Sequence, residues 1–182
     1  MKLKALASLY NEAKTVQLFN AADGTQWAGT GYAVYRLPEN LGQLTEDALC
    51  AIFDIPPGKR GKMQIKTKDL PDAYDTDDTC TGEKELLYWL DRRLTLTGRD
   101  MLPCKVPGGE VICIQTKTLK PGSDAEQPGL CIRKTETGAP YIVFKDGLFV
   151  QAIIMPCRVE PEELSWLGDV VGGITVEDNE TV

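Results

Sequence analysis

The sequence predicts a single α+β domain built on an antiparallel sheet with two to four helices. Three observations carry that prediction. Helical apolar spacing opens the chain and recurs in capped segments, β-rich runs fill the second half between turn signals, and 182 residues suit one domain better than two. The domain is expected to span residues 1–176, with a weak boundary near 69–80 and a frayed acidic tail at 177–182.

Leu3, Leu6, Tyr10 and Ala13 fall on one helical stripe, with Lys2, Lys4, Glu12 and Lys14 off it. Val16–Phe19 reads as a strand, Asp23-Gly24 as a turn and Tyr32–Tyr35 as a second strand. Gly24, Gly29 and Gly31 are too loosely spaced for a phosphate loop, so they read as turn and bulge glycines. Thr45 can cap a short helix whose apolar face is Ala48, Leu49, Ile52 and Phe53, and Ile55-Pro56-Pro57-Gly58 stops it. Met63–Thr67 alternates like a strand.

The acidic stretch 69–78 contains Pro71, lacks periodicity and reads as an exposed loop. Thr81 then caps the clearest predicted helix, over 83–94, with early acids, late arginines and Gly98 as its stop. On it Leu86, Leu90 and Trp89 would face inward, while Tyr88 and Arg92 would share a face open to a partner. From Val106 the pattern is β, in short runs at Val111–Ile114 and Leu130–Ile132. Tyr141–Phe144 and Leu148–Met155, joined by Lys145-Asp146-Gly147, form the strongest hairpin signal. Glu160-Pro161-Glu162-Glu163 begins a last short helix through Leu167, which Gly168 ends.

Composition excludes several classes of function. The chain has no histidine, which removes Ser-His-Asp and Cys-His pairs, histidine metal sites and the usual neutral-pH proton shuttle. Ser8, Ser123 and Ser165 have no nucleophile-elbow context. The six cysteines, Cys50, Cys80, Cys104, Cys113, Cys131 and Cys157, lack the close pairs zinc requires and read mostly as small buried apolar residues. Asp75, Asp77 and Asp78 faintly resemble calcium ligands, but the twelfth loop position falls on Leu86. No enzyme, cofactor or metal is therefore expected. No run approaches about 18 apolar residues, and Met1–Leu6 lacks the apolar core of a signal peptide, so neither membrane nor export is expected.

Charge is the most informative property. There are 20 basic and 27 acidic residues, a net charge of −7. Residues 1–68 carry 9 basic and 6 acidic side chains, against 11 and 21 in residues 69–182. The basic part peaks at Lys59, Arg60, Lys62, Lys66 and Lys68, too short a run to predict nucleic-acid binding. The acidic part opens with Asp69, Asp72, Asp75, Asp77, Asp78, Glu83 and Glu85, and a second cluster contains Glu162 and Glu163. Such a surface repels phosphate and attracts a basic protein partner, with loop solubility as the bland alternative. These acidic residues, with Tyr88, are the candidate partner-binding set.

Two resemblances add to this. Lys2–Lys14, Asp23-Gly24-Thr25-Gln26-Trp27 and Ile52-Phe53-Asp54-Ile55-Pro56 look like stretches of small phage proteins, and the chain as a whole resembles the phage-encoded type II-A anti-CRISPR proteins. That resemblance implies a stoichiometric inhibitor of the type II CRISPR RNA-guided nuclease, or of its guide-RNA complex, acting in the cytoplasm of an infected bacterium. The group shares no motif, so no site residue is carried over from it. Tyr141–Val159, ending Ile153-Ile154-Met155-Pro156-Cys157-Arg158-Val159, is similar to the last hairpin of bacterial sliding-clamp domains. The alternative this implies is a phage replication accessory that binds a polymerase or a partner peptide.

Overall fold

A computed structural model describes residues 1–88, 94–96, 98–108 and 110–157. Leu3–Ala13 (α1) buries Leu6 and Tyr10 of the predicted stripe together with Leu9, leaves Leu3 and Ala13 half-buried, and ends at Lys14 in the left-handed conformation (φ 53°). Thr15–Asn20 (β1), Gln26–Gly29 (β2) and Ala33–Arg36 (β3) follow as an antiparallel meander. The Asp23-Gly24 turn is set by Asp23 Oδ1, which accepts from the Thr25 N–H at 2.8 Å, and by Gly24 at φ 84°.

Glu46–Ile52 (α2) starts where Thr45 Oγ1 accepts from the Ala48 N–H at 3.2 Å, with Glu46 and Asp47 in its first turn. Thr45→Ala is expected to lower stability by about 1 kcal/mol in thermal melts; an unchanged midpoint would mean that the cap contributes nothing. Pro57–Arg60 (α3) leads into Gln64–Asp69 (β4), which returns beside β1 in parallel register from Thr15↔Gln64 to Asn20↔Asp69. The basic run thus occupies α3, the turn after it and an exposed edge strand, where Lys66 and Lys68 discourage pairing with another chain.

The second half supplies Lys84–Glu85 (β5), Leu87–Tyr88 (β6), Leu94–Leu96 (β7), Arg99–Lys105 (β8), Val111–Gln115 (β9), Pro128–Lys134 (β10), Pro140–Asp146 (β11) and Phe149–Ile154 (β12). A 3₁₀ segment, Thr116–Gly122, lies against α1. The larger sheet has the order β4-β1-β2-β3-β12-β11-β10-β5, and every described pairing in it except β1–β4 is antiparallel. It draws strands from both sides of residues 69–80, so the expected α+β class stands as one fold and that stretch does not separate two sheets. The smaller sheet centres on β8, with β9 on one edge and β6 and β7 on the other. Pro103, which has no N–H to offer a neighbour, lies between the parts of β8 that pair with β6 and β7.

Residues 84–88 correct the sequence reading. The predicted 83–94 helix is replaced by strands at 84–85, 87–88 and 94–96, while Trp89, Leu90 and Arg92 lie outside the described residues. One extended segment serves both sheets: Glu85 pairs with Cys131 in the large sheet, and Leu87 pairs with Lys105 in the small one. Leu86 between them is buried, and its N–H donates to the Leu130 carbonyl at 2.8 Å. Strand alternation places Leu86 inward and Glu85 and Leu87 outward, so bridging two sheets overrides local helix propensity. The predicted 160–167 helix, with Glu162 and Glu163, and the 177–182 tail lie outside the described residues.

Both faces of the large sheet are covered. One face, including Val16, Leu18, Tyr35, Ile142 and Phe144, packs with Leu6, Leu49, Leu102 and Ile114 from α1, α2 and the small sheet. Phe19, Trp27, Tyr141, Val143, Val150 and Ile153 face the other way and pack with Leu70 and Tyr74. Strands buried on both faces read as continuous apolar runs, which is the pattern of Tyr141–Phe144. Among the described residues no helix is long and apolar enough to cross a membrane.

Candidate functional site

The acidic segment does not hang free as the loop its composition suggests. Leu70 and Tyr74 pin it to the second face of the large sheet, where the Tyr74 and Tyr141 rings meet edge to face at 5.3 Å. Tyr141 Oη accepts from the Asp75 N–H at 3.0 Å. The segment is a strap laid across strands, and its charges divide into two groups.

The inward group forms an ion-paired cluster. Arg133 of β10, with only 1% of its side chain exposed, donates from Nε and Nη2 to Glu83 Oε2 at 2.9 and 2.6 Å. Its Nη1 donates to the Asp75 carbonyl at 2.8 Å and lies 3.7 Å from Asp75 Oδ1. Lys145 of β11 donates to Glu83 Oε1 and to the Asp78 carbonyl, each at 2.8 Å. Asp78 Oδ1 accepts from the Val150 N–H at 2.8 Å and sits 3.7 Å from the Arg36 guanidinium. Burial pushes the Glu83 carboxyl up, but hydrogen bonds and charge from Lys145 and Arg133 outweigh it and hold the group below its ordinary value. Burial likewise works against the Arg133 charge, and Glu83 more than restores it. Glu83 is therefore committed to the protein's own cations, whereas the carboxylates of Asp75 and Asp78 each lie 3.7 Å from a guanidinium and stay partly exposed.

The outward group is Asp69 at the end of β4, Asp72 and Asp77 on the strap, and Glu85 on β5. All four are exposed. Tyr88 is half-buried on β6, packs against the core and donates from Oη to the Pro128 carbonyl at 3.3 Å, so it does not present an open helix face. Among the described residues no three histidine, cysteine, aspartate or glutamate side chains gather as a metal-binding group. Asp75, Asp77 and Asp78 make local turn and strap contacts: the Asp77 N–H donates to Asp75 Oδ1 at 2.9 Å.

The hairpin between β11 and β12 adds a feature that charge analysis missed. Its tip exposes Leu148 by 72% and Phe149 by 61%, and Phe149 lines a shallow groove with the strap residue Asp78, Arg36 and Glu39. The sequence signal for this tip was two apolar residues directly after the Asp-Gly turn, where a polar residue is usual. Arg133 and Lys145 were also missed, although each follows directly on an apolar strand run, where a buried cation calls for an anion.

Exposed carboxylates thus stand on the strap and on both edge strands of the large sheet, and the apolar hairpin tip lies beside Asp78 of the strap. No family model, curated protein or solved structure matches the chain.

Proposed function

We propose that this chain is a phage-encoded anti-CRISPR inhibitor that binds the type II RNA-guided nuclease stoichiometrically and blocks target DNA binding or cleavage. It acts by occupancy, without turning over a substrate, in the cytoplasm of the infected bacterium. The observation that carries the reading is the anchored strap: internal cations hold Asp75, Asp78 and Glu83, leaving Asp69, Asp72, Asp77 and Glu85 outward. Carboxylates held on a folded surface lose little entropy on meeting lysines and arginines, and the target nuclease holds nucleic acid in a strongly positive channel. Phe149 and Leu148 supply an apolar anchor at the hairpin tip, next to Asp78 of the strap.

The test is a plasmid-cleavage assay with guide-loaded nuclease and the quadruple variant Asp69→Asn, Asp72→Asn, Asp77→Asn, Glu85→Gln. Inhibition should weaken at least about tenfold and lose most of its salt dependence, with circular dichroism unchanged. Undiminished inhibition would remove this surface from the reading. Capture of polymerase subunits in place of the nuclease would favour a replication accessory.

A further inference from the structure

Among the described residues β4 is the long open edge of the large sheet. The opposite edge, β5, has two residues, whereas β4 pairs with β1 along all six of its positions without a break in register. Folded proteins blunt an exposed edge by shortening it, bulging it, placing proline in it or covering it. β5 is short. β4 contains neither proline nor bulge, and every residue in it except the half-buried Ile65 is exposed. Its unused side follows from its bonds. The Gln64 N–H donates to the Lys14 carbonyl at 3.0 Å, and the Leu70 N–H, just past the strand, donates to the Asn20 carbonyl at 2.8 Å. Alternate residues of a strand turn their backbone groups to the same neighbour, so Lys66 and Lys68 also face β1. Ile65, Thr67 and Asp69 turn theirs the other way, where the sheet has no further strand among the described residues.

The side chains divide by the pleat. Lys66 and Lys68 stand opposite Gln17 and Phe19 of β1, on the face that Leu70 and Phe19 share, and neither has an acidic partner among the described residues. The other face carries Asp69 and Thr67, whose Oγ1 donates to Glu46 Oε1 at 3.0 Å. Lysines on an edge guard against indiscriminate pairing, and they turn away a second copy, because antiparallel pairing of two β4 strands would set lysine against lysine. A guard of one sign is also a selector. A strand with carboxylates at alternate positions, roughly 6–7 Å apart, matches the spacing of Lys66 and Lys68 and turns repulsion into cross-strand pairs. Acids on its other face would meet Glu46 and Asp69, so an alternating strand fits and a uniformly acidic one does not. A nucleic-acid strand would meet the lysines but bring no regular row of donors to the outward carbonyls, and β4 has no aromatic ring on which a base could stack.

We infer that the open edge of β4 takes an extended peptide of a partner protein as a further strand, its alternate carboxylates on Lys66 and Lys68. The inference is independent of the acidic strap and of nuclease binding. The experiment is fluorescence anisotropy of the full chain with a labelled, end-capped peptide of alternating glutamate and threonine, about eight residues long, which spans β4 at roughly 3.3 Å per residue. It should bind with a dissociation constant below about 1 mM. A peptide alternating lysine and threonine should bind at least about tenfold more weakly, and so should the glutamate peptide N-methylated at every amide, which keeps the charge and loses the backbone bonds. In the double variant Lys66→Glu, Lys68→Glu, checked for folding by circular dichroism, the lysine peptide should bind at least about tenfold better than the glutamate peptide. Amide hydrogen exchange at Ile65, Thr67 and Asp69 should slow at least about tenfold at saturation. No binding below about 1 mM, equal binding of the N-methylated peptide, an unchanged preference in the folded double variant, or unprotected amides at those three residues would overturn the assignment. The N-methylated peptide and the exchange measurement decide it even if the double variant does not fold. Oligouridine RNA binding more tightly than the glutamate peptide would overturn it in favour of a nucleic-acid surface.

Discussion

Glu83→Ala should cost about 3 kcal/mol of folding stability, a fall in melting temperature of roughly 6–12 °C for a chain of this size. The effect exceeds that of an ordinary surface carboxylate because of what remains. Arg133 and Lys145, 1% and 8% exposed, would keep carbonyl contacts to Asp75 and Asp78 but lose the anion they share. A buried charge without its counter-ion is among the costliest single changes available to a fold. Glu85→Ala, two residues along on the exposed strand β5, is the control and should change stability by no more than about 0.5 kcal/mol. Equal losses in the two variants would show that the cluster does not hold the strap.

The same residue sets an acid limit. Its folded pKa lies below its ordinary value of 4.5, so its contribution is fully present at neutral pH and is lost as pH falls through that value toward the folded one. Wild-type stability should decline below about pH 5 more steeply than that of Glu83→Gln, whose amide does not titrate. Parallel acid curves would assign the decline to other carboxylates.

Much of the first half was legible because its signals are local. The stripe of α1, the Thr45 cap and the Asp23-Gly24 turn each act within a few residues, and each forms as its chemistry requires. The hairpin at Asp146-Gly147 belongs with them. The segment 83–88 was illegible for the opposite reason. Early acids and apolar residues three and four apart suit a helix, but the sheet edges waiting for this segment come from β8 and β10, 16–48 residues further along the chain. The candidate site was half legible. Charge located the acidic strap, but only the fold could divide its carboxylates, because the deciding partners, Arg36, Arg133 and Lys145, lie on three different strands.

The glycines of the β2–β3 turn show the same limit at a single position and yield the second large effect. Gly29→Ala should destabilise the protein by at least about 3 kcal/mol, the upper end for overpacking. A Cβ on Gly29 would stand 2.2 Å from the Ala33 carbonyl oxygen and 2.6 Å from Val34 Cα. Both are backbone atoms, so no side-chain rotation relieves the contact. Ala33 O also accepts from the Thr30 N–H at 2.8 Å, and moving it away would break the bond that closes the turn. Strand β2 lies between β1 and β3, so the strain cannot escape to a free edge. Gly31, two residues on, meets nothing within 4 Å and has no positive φ, so Gly31→Ala should lie within about 0.5 kcal/mol of wild type. Spacing alone makes the two glycines look equivalent; the close approach of β3 separates them. Urea melts of the two variants measure the difference, and similar midpoints would mean that β2 and β3 are not packed this tightly.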